Sequence, residues 1–219
     1  MQTRLLLVRH GETEWHAENR YAGSSEVALT ARGITQAEAL AGYLTALPAG
    51  ERPTRLYSSP QGRAQRTASP SAAALGLEPV PRDDLRELDF GIMEGRTITE
   101  LRETDNDLVE RFLADPVADA FPDSEPPARA AERGAAALRT IAAAETGPVL
   151  VVAHNTLLRL TLCHLLGIPL RRYRAVLPKL ENAAITEVAV HGDRTSLLRF
   201  NQPVENRDTV RHEQRDISR

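Results

Sequence analysis

The sequence predicts an α/β protein: a three-layer sandwich with a mainly parallel central sheet flanked by helices on both faces. Two kinds of segment and their order support this. Leu5–Val8 and Val149–Ala153 are short, unbroken aliphatic runs, the pattern of strands covered on both faces. Between them lie stretches with apolar residues at helical spacing, and strands alternating with helices build layered α/β sheets.

Each element has its own signal. Leu5–Val8 stops abruptly at Arg9-His10-Gly11. Ile34, Ala37, Leu40, Leu44 and Leu47 form a helical stripe, with Thr30 as cap and Pro48 as stop. Leu56–Tyr57 reads as a third, shorter strand leading into Ser58-Ser59-Pro60. The helix after Arg63 contains Pro70, which is expected to kink or restart it. Ala128–Ala144, rich in Ala, Leu and Arg, forms a helix ending near Gly147-Pro148. Val149–Ala153 stops at His154-Asn155, and Thr156–Leu166 forms a helix closed by Gly167 and Pro169. Ala184–Val190 and Ser196–Phe200 flank His191-Gly192-Asp193 as a terminal hairpin. One domain over 1–202 is expected, followed by a polar tail at 203–219, which is rich in charge and poor in aliphatics.

Composition narrows the function. A formal net charge of −3 and only four Phe, four Tyr and one Trp give no basis for a nucleic-acid partner or a basic membrane-binding surface. No segment approaches the ~20 apolar residues of a membrane span. The N-terminal apolar stretch is too short for a signal peptide. Cys163 is the only cysteine, which excludes an internal disulfide and fits a reducing compartment. Within an apolar run, it reads as a small core residue. A cytoplasmic protein is expected.

Open α/β sheets bind ligands beyond the carboxyl ends of their strands. His10, preceded by Arg9, and His154 both fall at predicted strand ends. Arg63 follows Ser58-Ser59-Pro60 at a predicted helix start, where a guanidinium adds donors to a terminus that already favours anions. Glu87 lies in Leu85-Arg86-Glu87-Leu88-Asp89-Phe90-Gly91, and nothing local distinguishes it from a solvated carboxylate.

Arg9-His10-Gly11-Glu12-Thr13-Glu14-Trp15 resembles the signature of the histidine phosphatase superfamily, the group containing phosphoglycerate mutases. Leu29-Thr30-Ala31-Arg32-Gly33, Ser58-Ser59-Pro60 with Arg63-Ala64, Glu87 with Phe90-Gly91 and Glu94-Gly95, and Val151–His154 with Arg159 resemble its later segments in the same order. The resemblance implies that His10 is a nucleophile forming a phosphohistidine. It also implies that Arg9, Arg63 and His154 hold the phosphoryl oxygens and that Glu87 is the general acid and base. Substrate contacts are expected from His16, Gly23 and Asn155. The implied reaction is hydrolysis of a small phosphomonoester with no cofactor and no metal. Members of the family are often dimers, and nothing in this sequence identifies an interface.

The chain departs from the family pattern at several points. His16 stands where Asn is common; it reads either as a rim histidine or as a phosphate or substrate donor. Asn155 stands where Gly is common, and it can cap the helix beginning near Thr156 or add a donor to the pocket. Phe121-Pro122-Asp123-Ser124-Glu125 replaces a Gly-rich segment that often roofs the pocket. Leu88 stands where glycolytic-type mutases carry Arg, and Arg102–Glu125 is acidic rather than basic, which favours a phosphatase over a mutase. Leu88, Phe90, Ile92 and Met93 suggest a partly apolar leaving group, or else core. Two rival classes are a metal-dependent hydrolase, for which no His-Glu-x-x-His helix is present, and a non-catalytic phospholigand binder of the same fold.

Overall fold

The computed structural model describes residues 2–204, so most of the expected tail, 205–219, lies outside the described residues. Six strands form one sheet in the order β3-β2-β4-β1-β5-β6: β1 is Thr3–Arg9, β2 Arg55–Ser58, β3 Pro79–Pro81, β4 Val149–Ala153, β5 Ile185–His191 and β6 Arg194–Gln202. β3, β2, β4 and β1 run parallel, and β5 and β6 add an antiparallel hairpin beside β1. The expected mainly parallel sheet and terminal hairpin are therefore present.

Strand geometry explains how both faces are covered. Side chains alternate across a strand. Leu5, Leu7, Val149 and Val151 enter one core, while Leu6, Val8, Leu56, Leu150 and Val152 enter the other. The first core is closed by α5 (Pro127–Ala144) and α6 (Asn155–Leu165). The second is closed by α1 (Ala31–Ala46) and α2 (Gly62–Leu75). Each fully buried Val or Leu contributes about 1.5–3 kcal/mol, so the alternating runs supply much of the stability that fixes the sheet. Cys163, fully buried, belongs to the first core.

Thr30 caps α1, its Oγ1 accepting from the Gly33 N–H at 3.0 Å. Ile34, expected in the buried stripe, is half exposed; the packed face instead carries Gly33, Gln36, Ala37, Leu40, Ala41 and Leu44. The helix is turned so that Gly33 meets the loop after β1. α2 runs unbroken through Pro70, and the expected restart does not occur. Pro70 lies off the buried positions Ala64, Ala68 and Ala72, which hold the helix on the sheet.

Two short helices, α3 (Ile98–Thr104) and α4 (Asn106–Ala114), fill a stretch that carries no predicted element. Thr97 and Glu100 form a reciprocal capping box, and Asp105 caps α4 by accepting from the Leu108 N–H at 2.9 Å. A single helical turn, α7 (Tyr173–Val176), follows α6. No helix among the described residues is long and apolar enough to cross a membrane.

Candidate active site

The sheet register brings the two strand-end histidines together. β1 pairs with β4 in parallel, with Arg9 opposite Ala153, and the His10 N–H donates to the Ala153 carbonyl at 3.0 Å. The next residues on each strand, His10 and His154, have ring centroids 5.2 Å apart. The loop leaving β1 then presses against the start of α1. A Cβ at Gly33 would lie 2.1 Å from the Glu12 carbonyl oxygen, so this position admits only glycine without moving backbone. Thr67 of α2 ties the same loop down: its hydroxyl accepts from the Gly11 N–H at 2.9 Å and donates to the Arg63 carbonyl at 2.7 Å.

His10 is buried, and its Nδ1 lies 2.8 Å from the Gly11 carbonyl oxygen. A carbonyl can only accept, so Nδ1 carries the proton and Nε2 keeps its lone pair. Burial, with Arg9 and Arg63 nearby, holds the His10 ring well below the usual imidazole pKa. His154, wholly buried beside it, is held low by burial and then by Arg63, and neither of its ring nitrogens has a hydrogen-bond partner among the described residues.

These shifts have a thermodynamic sign. In the unfolded chain both imidazoles take up protons near pH ~6.5, whereas in the folded chain they resist doing so. The stability they contribute is therefore present above about pH 6.5 and is lost as pH falls below it. Thermal denaturation followed from pH ~7.5 down to ~5 should show a falling midpoint, and His154→Asn should flatten that slope. An unchanged slope in the variant would mean that His154 titrates normally.

Arg9 and Arg63 are also buried. One Arg9 Nη donates to the Leu180 carbonyl at 2.8 Å, and the other meets His16 Nε2. Burial lowers Arg9 to about 10, which still leaves it charged at neutral pH. His16, lowered to about 4 mainly by burial and then by Arg9, is neutral; its Nδ1 faces the Thr13 hydroxyl at 2.8 Å. His16 therefore supports Arg9 at the cavity wall and is not a free rim residue. Arg63, in the first turn of α2 as expected, donates to the carbonyls of Ser25, Ala22 and Gly23. The Nε atoms of both arginines have no hydrogen-bond partner among the described residues. Gly23 is not brought to the cavity. Its N–H donates to Glu94 at 2.9 Å and its carbonyl accepts from Gln61 and Arg63.

Glu87 sits at the N-terminus of α6. Its carboxylate accepts from the N–H groups of Leu157 at 2.8 Å, Leu88 at 2.9 Å and Thr156 at 3.0 Å. Burial pushes its pKa up, while those three donors and Arg63 oppose the rise; burial prevails. Asn155 does not cap α6 as expected, because the helix starts at Asn155 itself with His154 in the capping position. The Asn155 Oδ1 instead accepts from the Leu180 N–H at 3.1 Å, while the residue lines the cavity.

A cleft of about 440 Å³ opens here, with Arg9, His10, His16 and Glu87 in its wall; Arg63 and His154, fully buried, do not line it. Its outer wall comes from Trp15, Tyr21, Thr97–Thr99, Arg159, Tyr173 and Arg174. Most of these were not legible as site residues, because elements far apart in sequence bring them together. The segment 121–125 does not roof the cleft: Phe121 stacks on Phe112 at 3.9 Å, and Glu125 pairs with Arg133 at 2.7 Å. Leu88, Phe90 and Met93 are core residues, and of the four apolar candidates only Phe90 also lines the cleft.

The carboxyl edge of the sheet thus gathers two histidines and two buried arginines in an α/β protein. The family model of the histidine phosphatase superfamily (branch 1) matches residues 5–203. "Putative phosphoserine phosphatase 2" of Hydrogenobacter thermophilus is 31% identical over 199 residues, 91% of this chain and 95% of its own. YhfR of Bacillus stearothermophilus superposes with a TM-score of 0.84 at 27% identity, covering 93% of this chain and all of that one. A mycobacterial glucosyl-3-phosphoglycerate phosphatase gives a TM-score of 0.82 at 26% identity, covering 92% of this chain and all of that one. The chain belongs to the histidine phosphatase superfamily, branch 1.

Proposed function

We propose that this protein is a metal-independent phosphomonoesterase that works through a phosphohistidine on His10. One observation carries the reading: a neutral His10 with Nε2 unprotonated lies beside His154 and near Arg9 and Arg63, and the ring nitrogens of His154 and the Nε atoms of both arginines have no hydrogen-bond partner among the described residues. Nε2 attacks phosphorus, the N–P bond forms and the P–O bond to the leaving alcohol breaks. Glu87, protonated, gives its proton to the departing oxygen. The resulting carboxylate then takes a proton from water, the hydroxide oxygen attacks phosphorus, and the N–P bond breaks to release phosphate. Fixed cations around the phosphoryl group stabilise the charge spread over its oxygens. Several relatives described as phosphatases support hydrolysis as the outcome, and a cleft open to solvent gives water access to the intermediate.

The test is a panel of phosphomonoesters, with p-nitrophenyl phosphate and 3-phosphoglycerate included, assayed with EDTA present. Phosphate release that survives EDTA is expected. Loss of all activity on chelation would point to a metal-dependent hydrolase. Binding of vanadate without turnover of any ester would point to a phospholigand binder. Conversion of 3-phosphoglycerate to its 2-isomer, faster than phosphate release, would make the protein a mutase.

A further inference from the structure

The outer wall of the cleft holds three arginines, and they differ in how their charge is met. Arg20 is neutralised. It donates to Glu18 at 2.7 Å, to Glu100 at 2.9 Å and to the Gly95 carbonyl. Arg159 and Arg174 have no carboxylate partner within ion-pair distance among the described residues.

Arg159 is the more telling of the two, being only 5% exposed. Its Nε donates to the Leu177 carbonyl, but neither Nη has a hydrogen-bond partner among the described residues, and Nη2 is sealed from solvent. Its guanidinium lies 4.7 Å from the centre of the Tyr173 ring. Arg174 lies similarly, 5.2 Å from the centre of Phe112, and also approaches the Tyr21 hydroxyl. An aromatic face fixes the plane of a guanidinium and leaves its N–H edge free. Glu87, in the same cleft, is committed to three backbone N–H groups.

A buried cation without a counter-charge is costly, and arginine does not relieve that cost by losing its proton at ordinary pH. Arg159 is such a group, and Arg174, exposed beside it, adds a second cation to the same cleft, so the pair presents positive charge in the cleft that contains His10. The phosphoryl group being transferred belongs at His10, so this pair faces the other end of the substrate.

We infer that Arg159 and Arg174 bind a second oxyanion, a carboxylate or a further phosphate, carried by the leaving alcohol. This rests on the phosphomonoesterase reading above. It replaces the expectation of a partly apolar leaving group, since the residues behind that expectation are mostly core.

A matched three-carbon series tests it: glycerol 3-phosphate, 3-phosphoglycerate and glycerol 1,3-bisphosphate, with p-nitrophenyl phosphate as reference. Wild type should show kcat/KM at least about tenfold higher for one or both of the anionic leaving groups than for glycerol 3-phosphate, as charge-assisted hydrogen bonds predict. Their ranking tells carboxylate from phosphate. In Arg174→Met and Arg159→Met that ratio should fall toward unity, chiefly through KM. Arg174 is exposed, so its truncation should leave the fold intact, and the neutral Arg159→Gln keeps the test alive if Arg159→Met does not fold. Preference for the neutral alcohol, or an anionic preference that survives in both Arg174→Met and Arg159→Gln, would overturn the inference. Turnover of p-nitrophenyl phosphate would in that case leave the phosphomonoesterase reading standing. If no ester, the reference included, were hydrolysed, both would fall together.

Discussion

His10→Ala is expected to lower turnover of every phosphomonoester by about 10⁴-fold or more, the scale on which removing a nucleophile acts. The remaining cations would still bind phosphate but could not divide the transfer into two steps. The substitution removes a buried neutral ring whose one hydrogen bond among the described residues goes to the Gly11 carbonyl, so the chain should still fold and still bind vanadate. The decisive measurement is an alkaline quench after mixing with radiolabelled substrate. Wild type should carry acid-labile, alkali-stable label, and the variant should carry none. Retention of activity within tenfold would mean that the phosphoryl group never resides on His10.

Glu87→Gln should separate substrates by leaving group. General acid catalysis is worth about 10²–10⁴-fold, and it matters most when the departing alkoxide is strongly basic. Alkyl phosphates should therefore lose roughly that factor, while p-nitrophenyl phosphate should lose less than about tenfold. The pH profile carries the same information. Because burial raises the Glu87 pKa, wild-type activity on alkyl phosphates should persist toward neutrality and decline as pH rises through that pKa. The variant should lack this limb. Three N–H groups also converge on this carboxylate, so it has a structural duty at the start of α6. Equal losses on both substrate types, accompanied by a lower melting temperature, would assign Glu87 to that duty alone.

Much of the fold was legible because its central strands are unbroken aliphatic runs that end in chemistry-bearing residues. His10, His154 and Arg63 stand where strand-end and helix-start logic puts them. β3 escaped notice because Pro79-Val80-Pro81 offers little ladder bonding and belongs at the edge of a sheet. α3 had a readable signal, the Thr97-x-x-Glu100 capping box, in a segment too short and too charged to show a stripe. Glu87 had no local signature at all: its burial depends on α6, some seventy residues further along the chain, laying backbone donors against it. Asn155 was misread because the helix begins one residue early, which turns its side chain from the helix end toward Leu180. Arg159, Tyr173 and Arg174 reach the cleft through tertiary packing, which local periodicity does not record.

The ladder between β1 and β4 divides what can change in this protein from what cannot. Main-chain hydrogen bonds set the two histidines side by side, and such bonds do not depend on which aliphatic side chains the strands carry. Those strand positions can exchange Val, Leu and Ile at constant volume without moving His10 relative to His154. The outer wall of the cleft draws instead on separate segments, the stretch after β1, the start of α3, and α6 and α7, whose side chains no ladder holds in register. The paired histidines are thus set by backbone pairing and the outer wall by side-chain packing, so the second can vary between relatives while the first stays in place.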